Sequence, residues 1–96
     1  MPTDRLPSFD EIKKLPPEEA ITILDQIIEN PTSLPSSQYE EAFVVRGMKY
    51  WGLNKRKEAI DDYLAALKIN PESRAKTLLD FANSILDFYN KDLLNP

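Results

Sequence analysis

Apolar positions along this chain recur at helical spacing, and alternation of the kind that marks a strand is absent. Ala20, Ile21, Leu24, Ile27 and Ile28 fall on an i, i+3, i+4, i+7 stripe, with Ile23 widening it, and predict a helix over 17–29. Ahead of it, Ser8-Phe9-Asp10-Glu11 has the form of a capping box and opens a short helix over 9–15. Pro16-Pro17 ends that helix and starts the next, because a first-turn proline forfeits no intrahelical bond. Asn30-Pro31 closes the 17–29 helix, with Asn30 suited to a left-handed cap. The segment PTSLPSS at 31–37 reads as a loop, pinned to the body by Leu34. A second capping box, Ser37 to Glu40, predicts a helix over 38–53, ended by Asn54, and a partner helix follows over 55–69. Asn70-Pro71 ends that one and caps a last helix over 72–90, with Pro71 in its first turn. The fold class expected is all-α, a short antiparallel array of about five helices. Residues 1–7 and 91–96 are expected to be loosely held tails around a single domain over 8–90.

The stretch YEEAFVVRGMKYWGLNKRKEAIDDYLAALKINPE, 39–72, organises the rest. Small residues stand where two helices must touch: Ala42, Gly47, Ala59 and Ala66. Large ones, among them Phe43, Tyr50, Leu53, Ile60, Tyr63 and Leu67, fill the space between. The order A-F-x-x-x-G-x-x-Y, then E-A-I-x-x-Y-x-x-A-L, then N-P resembles one complete tetratricopeptide repeat, here 38–71. Gly47, Tyr50, Ala59, Tyr63, Ala66 and Pro71 are its packing positions. A partial copy precedes it over 8–30. Glu19-Ala20-Ile21 matches Glu58-Ala59-Ile60, Leu24 matches Tyr63, Ile28 matches Leu67 and Asn30-Pro31 matches Asn70-Pro71. The offset is 39 or 40 residues against about 34 for the family, the excess being the proline-serine loop. The leading helix of this copy is truncated, and Ser8 and Glu11 stand where a small residue and an aromatic are expected. The last helix, 72–90, resembles the solvating helix that closes many such arrays.

The resemblance implies a concave groove lined by the leading helices. Its expected residues are Glu41, Val44, Met48 and Trp51, with Gly52 at the margin, and Ala75, Leu78, Ala82 and Ile85 on the last helix. The family's lysine, asparagine and arginine clamp for chaperone tails is not expected, because Val44, Met48, Leu78 and Leu79 occupy its positions. An apolar groove implies a non-catalytic interaction module that docks an apolar helix or peptide, with Met and Trp as adaptable large-area contacts. The same residues have a plain structural use as packing between the helices. The alternative function is a structural homo-oligomer, possible as a homodimer, in which groove and last helix bury each other. Leu79, Leu86, Phe88 and Leu93 mark that self-association surface.

Composition narrows the field further. The 96 residues hold no cysteine and no histidine, which removes the commonest transition-metal ligands and the commonest general base. No cofactor and no metal are expected, and neither is an enzyme. Sixteen acidic against twelve basic residues make a net charge of −4, an unfavourable balance for binding phosphate backbones. Adjacent carboxylates such as Asp61-Asp62 diverge by roughly 100° around a helix and cannot flank one bond as acid and base. Arg46 is expected to lay its stem against the packed helices with its head near Asp61 or Asp62. Lys55-Arg56-Lys57 reads as a solvated turn, with an anionic partner as the sharper alternative. No apolar run approaches the ~18 residues of a membrane span, and no leader pattern is seen, so no membrane partner and a cytoplasmic location are expected.

Overall fold

A computed structural model of the chain describes residues 7–30 and 34–94, with side chains through position 87. The protein is all-α. Among the described residues five helices follow one another: α1 (Phe9–Lys14), α2 (Pro17–Glu29), α3 (Ser36–Gly52), α4 (Arg56–Ile69) and α5 (Ala75–Leu94). None of them is long and apolar enough to cross a membrane.

The local signals act largely as read. Ser8 Oγ accepts from the Glu11 N–H at 3.2 Å while Glu11 Oε1 accepts from the Ser8 N–H at 2.8 Å, closing the first capping box. Pro17 is the first residue of α2. The end of α3 is a Schellman arrangement: Lys55 N–H donates to the Tyr50 carbonyl at 2.9 Å and Asn54 N–H to that of Trp51 at 3.0 Å. Asn54 supplies the left-handed residue that this geometry needs, at φ 66°.

Four expectations are corrected. The second capping box does not form: α3 begins at Ser36 behind Pro35, with no side-chain cap. Glu40 is drawn instead to the far end of α4, where its Oε1 accepts from Asn70 Nδ2 at 3.1 Å. Asn30 is not left-handed, since its φ is −119°; its Nδ2 donates to the Gln26 carbonyl at 2.9 Å and caps α2 that way. The last helix starts at Ala75 rather than position 72 and extends to Leu94 rather than position 90. Asn70 Oδ1 does accept from the Glu72 N–H, but a turn intervenes before Ser73 Oγ accepts from the Ala75 N–H. Of the loop and the tails, positions 31–33, 1–6 and 95–96 lie outside the described residues.

α3 is the centre of the packing because it buries two sides. Ala42 and Val45 join Ile12, Ala20, Leu24 and Ile27 in a first core between α1, α2 and α3, with Leu34 packed against it. Val44 joins Ala59, Tyr63, Ala66 and Ala75 in a second core between α3, α4 and α5. α3 and α4 run antiparallel: Glu40 meets Asn70 at one end, and Arg46 meets Asp62 nearer the turn. They approach closely at Gly47, where a Cβ would stand 2.6 Å from Tyr63 Cε1 and 3.2 Å from the Ala59 carbonyl oxygen. Of the residues matched between the two stretches, Ala20, Ala59 and Leu24 are wholly buried and Tyr63 nearly so.

Charges tie the layers together. Arg46 reaches from α3 to both flanking helices, bonding Asp62 of α4 through Nε and Nη2 at 2.9 and 2.8 Å, and Asp25 of α2 through Nη1 at 2.8 Å. Its guanidinium lies 5.6 Å from the Phe43 ring centre and 5.7 Å from that of Tyr50. Asp61, the other acid considered for it, pairs with Lys57 instead. Lys49 anchors the short α1 by donating to the Lys13 and Leu15 carbonyls at 2.6 and 3.0 Å, a role nothing in the periodicity indicated.

Candidate functional site

On α3, helical spacing puts Met48 and Trp51 three residues apart on one edge; on α5, Leu78 and Phe81 repeat the arrangement. Where the two edges face each other they enclose an open apolar cleft of about 200 Å³, lined by Met48, Trp51, Tyr63, Leu78 and Phe81. Tyr63 belongs to both the core and the cleft. Its ring packs at Gly47 and is 3% exposed, and burial pushes its hydroxyl above the ordinary tyrosine pKa.

The outer walls are unusually bare for apolar residues. Phe81 is 58% exposed and Met48 41%, although Phe81 is followed directly by the buried Ala82 and Met48 lies one turn from the buried Val44. Phe81 stands edge-on to Trp51, with ring centres 6.3 Å apart and planes at 61°. Trp51 also meets Arg56, whose guanidinium carbon lies 4.7 Å from the indole centre. Arg56 is steered there from the first turn of α4, its Nε donating to Asn54 Oδ1 at 3.1 Å.

The structure sorts the expected groove residues into three groups. Met48, Trp51 and Leu78 come together in the cleft. Val44 and Ala82, with Ala75, are corrected: they are completely or almost completely buried and offer no surface to a partner. Val44 and Ala75 meet in the second core, where α5 packs against the pair α3–α4. Glu41 lies at the face's other end and is held by two ion pairs, at 3.2 Å to Lys13 of α1 and 2.8 Å to Arg74 before α5. Ile85 is half-buried and does not line the cleft, and Gly52 is exposed with open space around it.

Of the residues expected for self-association, Leu79 packs against the second core and Leu86 is half-buried. Phe88 and Leu93 lie outside the residues whose side chains are described. α5 turns Lys76, Thr77, Asp80, Asn83, Ser84 and Asp87 outward as an exposed polar face interrupted only by Phe81 within that stretch. Comparison with protein-family models, curated proteins and solved structures finds no match to this chain.

Sequence reasoning missed three contributors. The sequence reading uses Tyr63 for packing alone, leaves Phe81 out of the expected groove, and places Arg56 in a solvated turn. Phe81 had a signal, since it lies three residues after Leu78. Arg56 had none, because its place over Trp51 follows from the chain reversal at Asn54. Among the described residues no group of three or more His, Cys, Asp or Glu is placed to hold a metal ion.

Proposed function

We propose that this protein is a non-catalytic interaction module of the tetratricopeptide kind, which docks an apolar helix or peptide of a partner protein against the α3–α5 face. The observation that carries this reading is the exposure of Phe81 and Met48 around a cleft whose other walls are apolar. Bare aromatic and methionine side chains grouped round a concavity are characteristic of contact surfaces, where they contribute large apolar area. A cleft of about 200 Å³ suits one large side chain of a partner rather than a whole small-molecule substrate, which commonly takes ≈ 300–1,000 Å³. Affinity would come from burying that anchor and the rings around it.

Leu64 makes a useful control, because it is 46% exposed on α4 and does not line the cleft. Wild type, Met48→Glu and Leu64→Glu are compared in retention of partners from an extract, with helicity checked for each. Proteins kept by wild type and Leu64→Glu and lost by Met48→Glu are the expected result. Equal retention by all three folded proteins sinks the reading.

A further inference from the structure

Tyr63 is the most deeply buried of the residues that line the cleft, and it carries a hydroxyl into apolar company. Its neighbours in the second core, among them Val44, Ala59, Ala66 and Ala75, have no side-chain group that could bond it. The half-buried Tyr39 spends its hydroxyl on the Ile27 carbonyl, at 3.3 Å. The Tyr63 hydroxyl makes no hydrogen bond among the described residues. Nor is it sealed in, for among those residues no side-chain oxygen is both cut off from solvent and without a partner. Tyr63 is only 3% exposed, and it lines the cleft; that small opening is where its hydroxyl meets solvent. The group is neutral at ordinary pH, since burial holds its pKa above the usual tyrosine value, and it can both donate and accept.

We infer that the Tyr63 hydroxyl determines which partner the cleft accepts: the partner's anchor is an aromatic side chain with a polar tip, tyrosine or tryptophan, whose O–H or N–H meets that hydroxyl. The inference rests on the proposed function and narrows it. A phenylalanine or leucine anchor that filled the cleft would cut the hydroxyl off from water and return no bond. Leaving a buried polar group unpaired is what lets a site reject the analogue that lacks the matching group. The body of a tyrosine or tryptophan still packs on Met48, Trp51 and Phe81, with the ring geometry those aromatics favour. A lysine or glutamate tip would carry a charge between apolar walls, at a greater cost than one hydrogen bond returns.

The test uses the full chain and a library of random helical peptides displayed on phage. Binders are selected on wild type and counter-screened on Met48→Glu. If the inference holds, peptides lost on Met48→Glu are enriched in Tyr or Trp over Phe and Leu. Each is then remade with its tip removed, Tyr as Phe and Trp as naphthylalanine, and both forms are titrated on wild type and on Tyr63→Phe. That variant loses only a hydroxyl with no bond inside the fold, and circular dichroism checks its helicity. Removing the polar group from either side alone should weaken binding on the order of tenfold, and removing it from both should recover most of the loss. A packing role for Tyr63 alone would not produce that recovery. Met48-dependent peptides that favour Phe or Leu, or a Tyr63→Phe loss that is the same with and without the peptide's tip, overturn the inference and leave the proposed function standing. Binders that ignore Met48, or a selection that yields none, overturn both. Light scattering at the selection concentration completes the set: a dimer of wild type that Met48→Glu dissociates makes a second copy the occupant and overturns the inference.

Discussion

Gly47 and Gly52 stand one helical turn and a fraction apart on α3, yet they do opposite things. A Cβ at Gly47 would press into the Tyr63 ring and the Ala59 carbonyl, whereas one at Gly52 meets nothing within 4 Å. Gly47→Ala is therefore expected to destabilise by roughly 1–3 kcal/mol despite its better helix propensity, and Gly47→Leu by more. Gly52→Ala is expected to stabilise by about 0.5–1 kcal/mol, since the helical glycine is relieved of backbone entropy alone. Thermal melts of the pair decide it, and equal shifts of the same sign would refute this packing. Arg46 is the other residue on which much depends. Asp62 is nearly buried, and burial holds its carboxyl above the ordinary aspartate pKa even against the pull of Arg46. Arg46→Ala leaves that carboxylate alone and should cost about 3–5 kcal/mol at neutral pH. The sign of its pH dependence follows. A carboxyl whose pKa is raised by folding binds its proton more readily in the folded chain, so stability rises as pH falls from neutrality through the folded pKa. Denaturant melts of Arg46→Ala should recover part of the loss on mild acidification. A loss that stays constant or grows on mild acidification would show that Asp62 is not the source.

At the scale of the element, each helix end is settled by a different device. α1, six residues long, is too short to persist by itself. It is held by its capping box, by the buried Ile12 and by Lys49 on its last carbonyls. The turn from α3 to α4 depends on one backbone conformation, that of Asn54. Asn54→Gly should keep the stability of the wild type or exceed it slightly, whereas Asn54→Val should lose about 1–2 kcal/mol. Because Asn54 also aims Arg56, the valine variant should in addition change the Trp51 emission spectrum, which can be read in the same melts. Helix periods, proline breaks and the first capping box were legible from residue types because each acts within a turn or so of chain. The second box was not, because a contact thirty residues away, from Asn70 to Glu40, competed for the same carboxylate. The late start of α5 has a similar origin: Asn70 and Ser73 spend their side chains on a turn before the helix begins.

Across the whole molecule, two cores share a single helix, so neither is independent of the other. Arg46 adds a bond from that helix to each neighbour. Leu24→Ala, deep in the first core, should cost about 2–5 kcal/mol, and the transition followed by Trp51 in the second core should move with that followed by circular dichroism. A Trp51 transition that stays in place while helicity falls would mean that the cores unfold separately. What the sequence by itself determined is the all-α class, the order of the helices and the pairing of small with large residues between α3 and α4. Those follow from periodicity and side-chain volume, which are properties of neighbouring positions. Which apolar residues remain in contact with water is another matter. Val44 and Met48 lie one turn apart on the same face, and their residue types do not separate them. Val44 is closed into the second core with Ala75 of α5, whereas Met48 is left at the open cleft between α3 and α5. The cleft, its exposed Phe81 and the cation over Trp51 exist only once three helices have closed together, and the tertiary structure alone decided them.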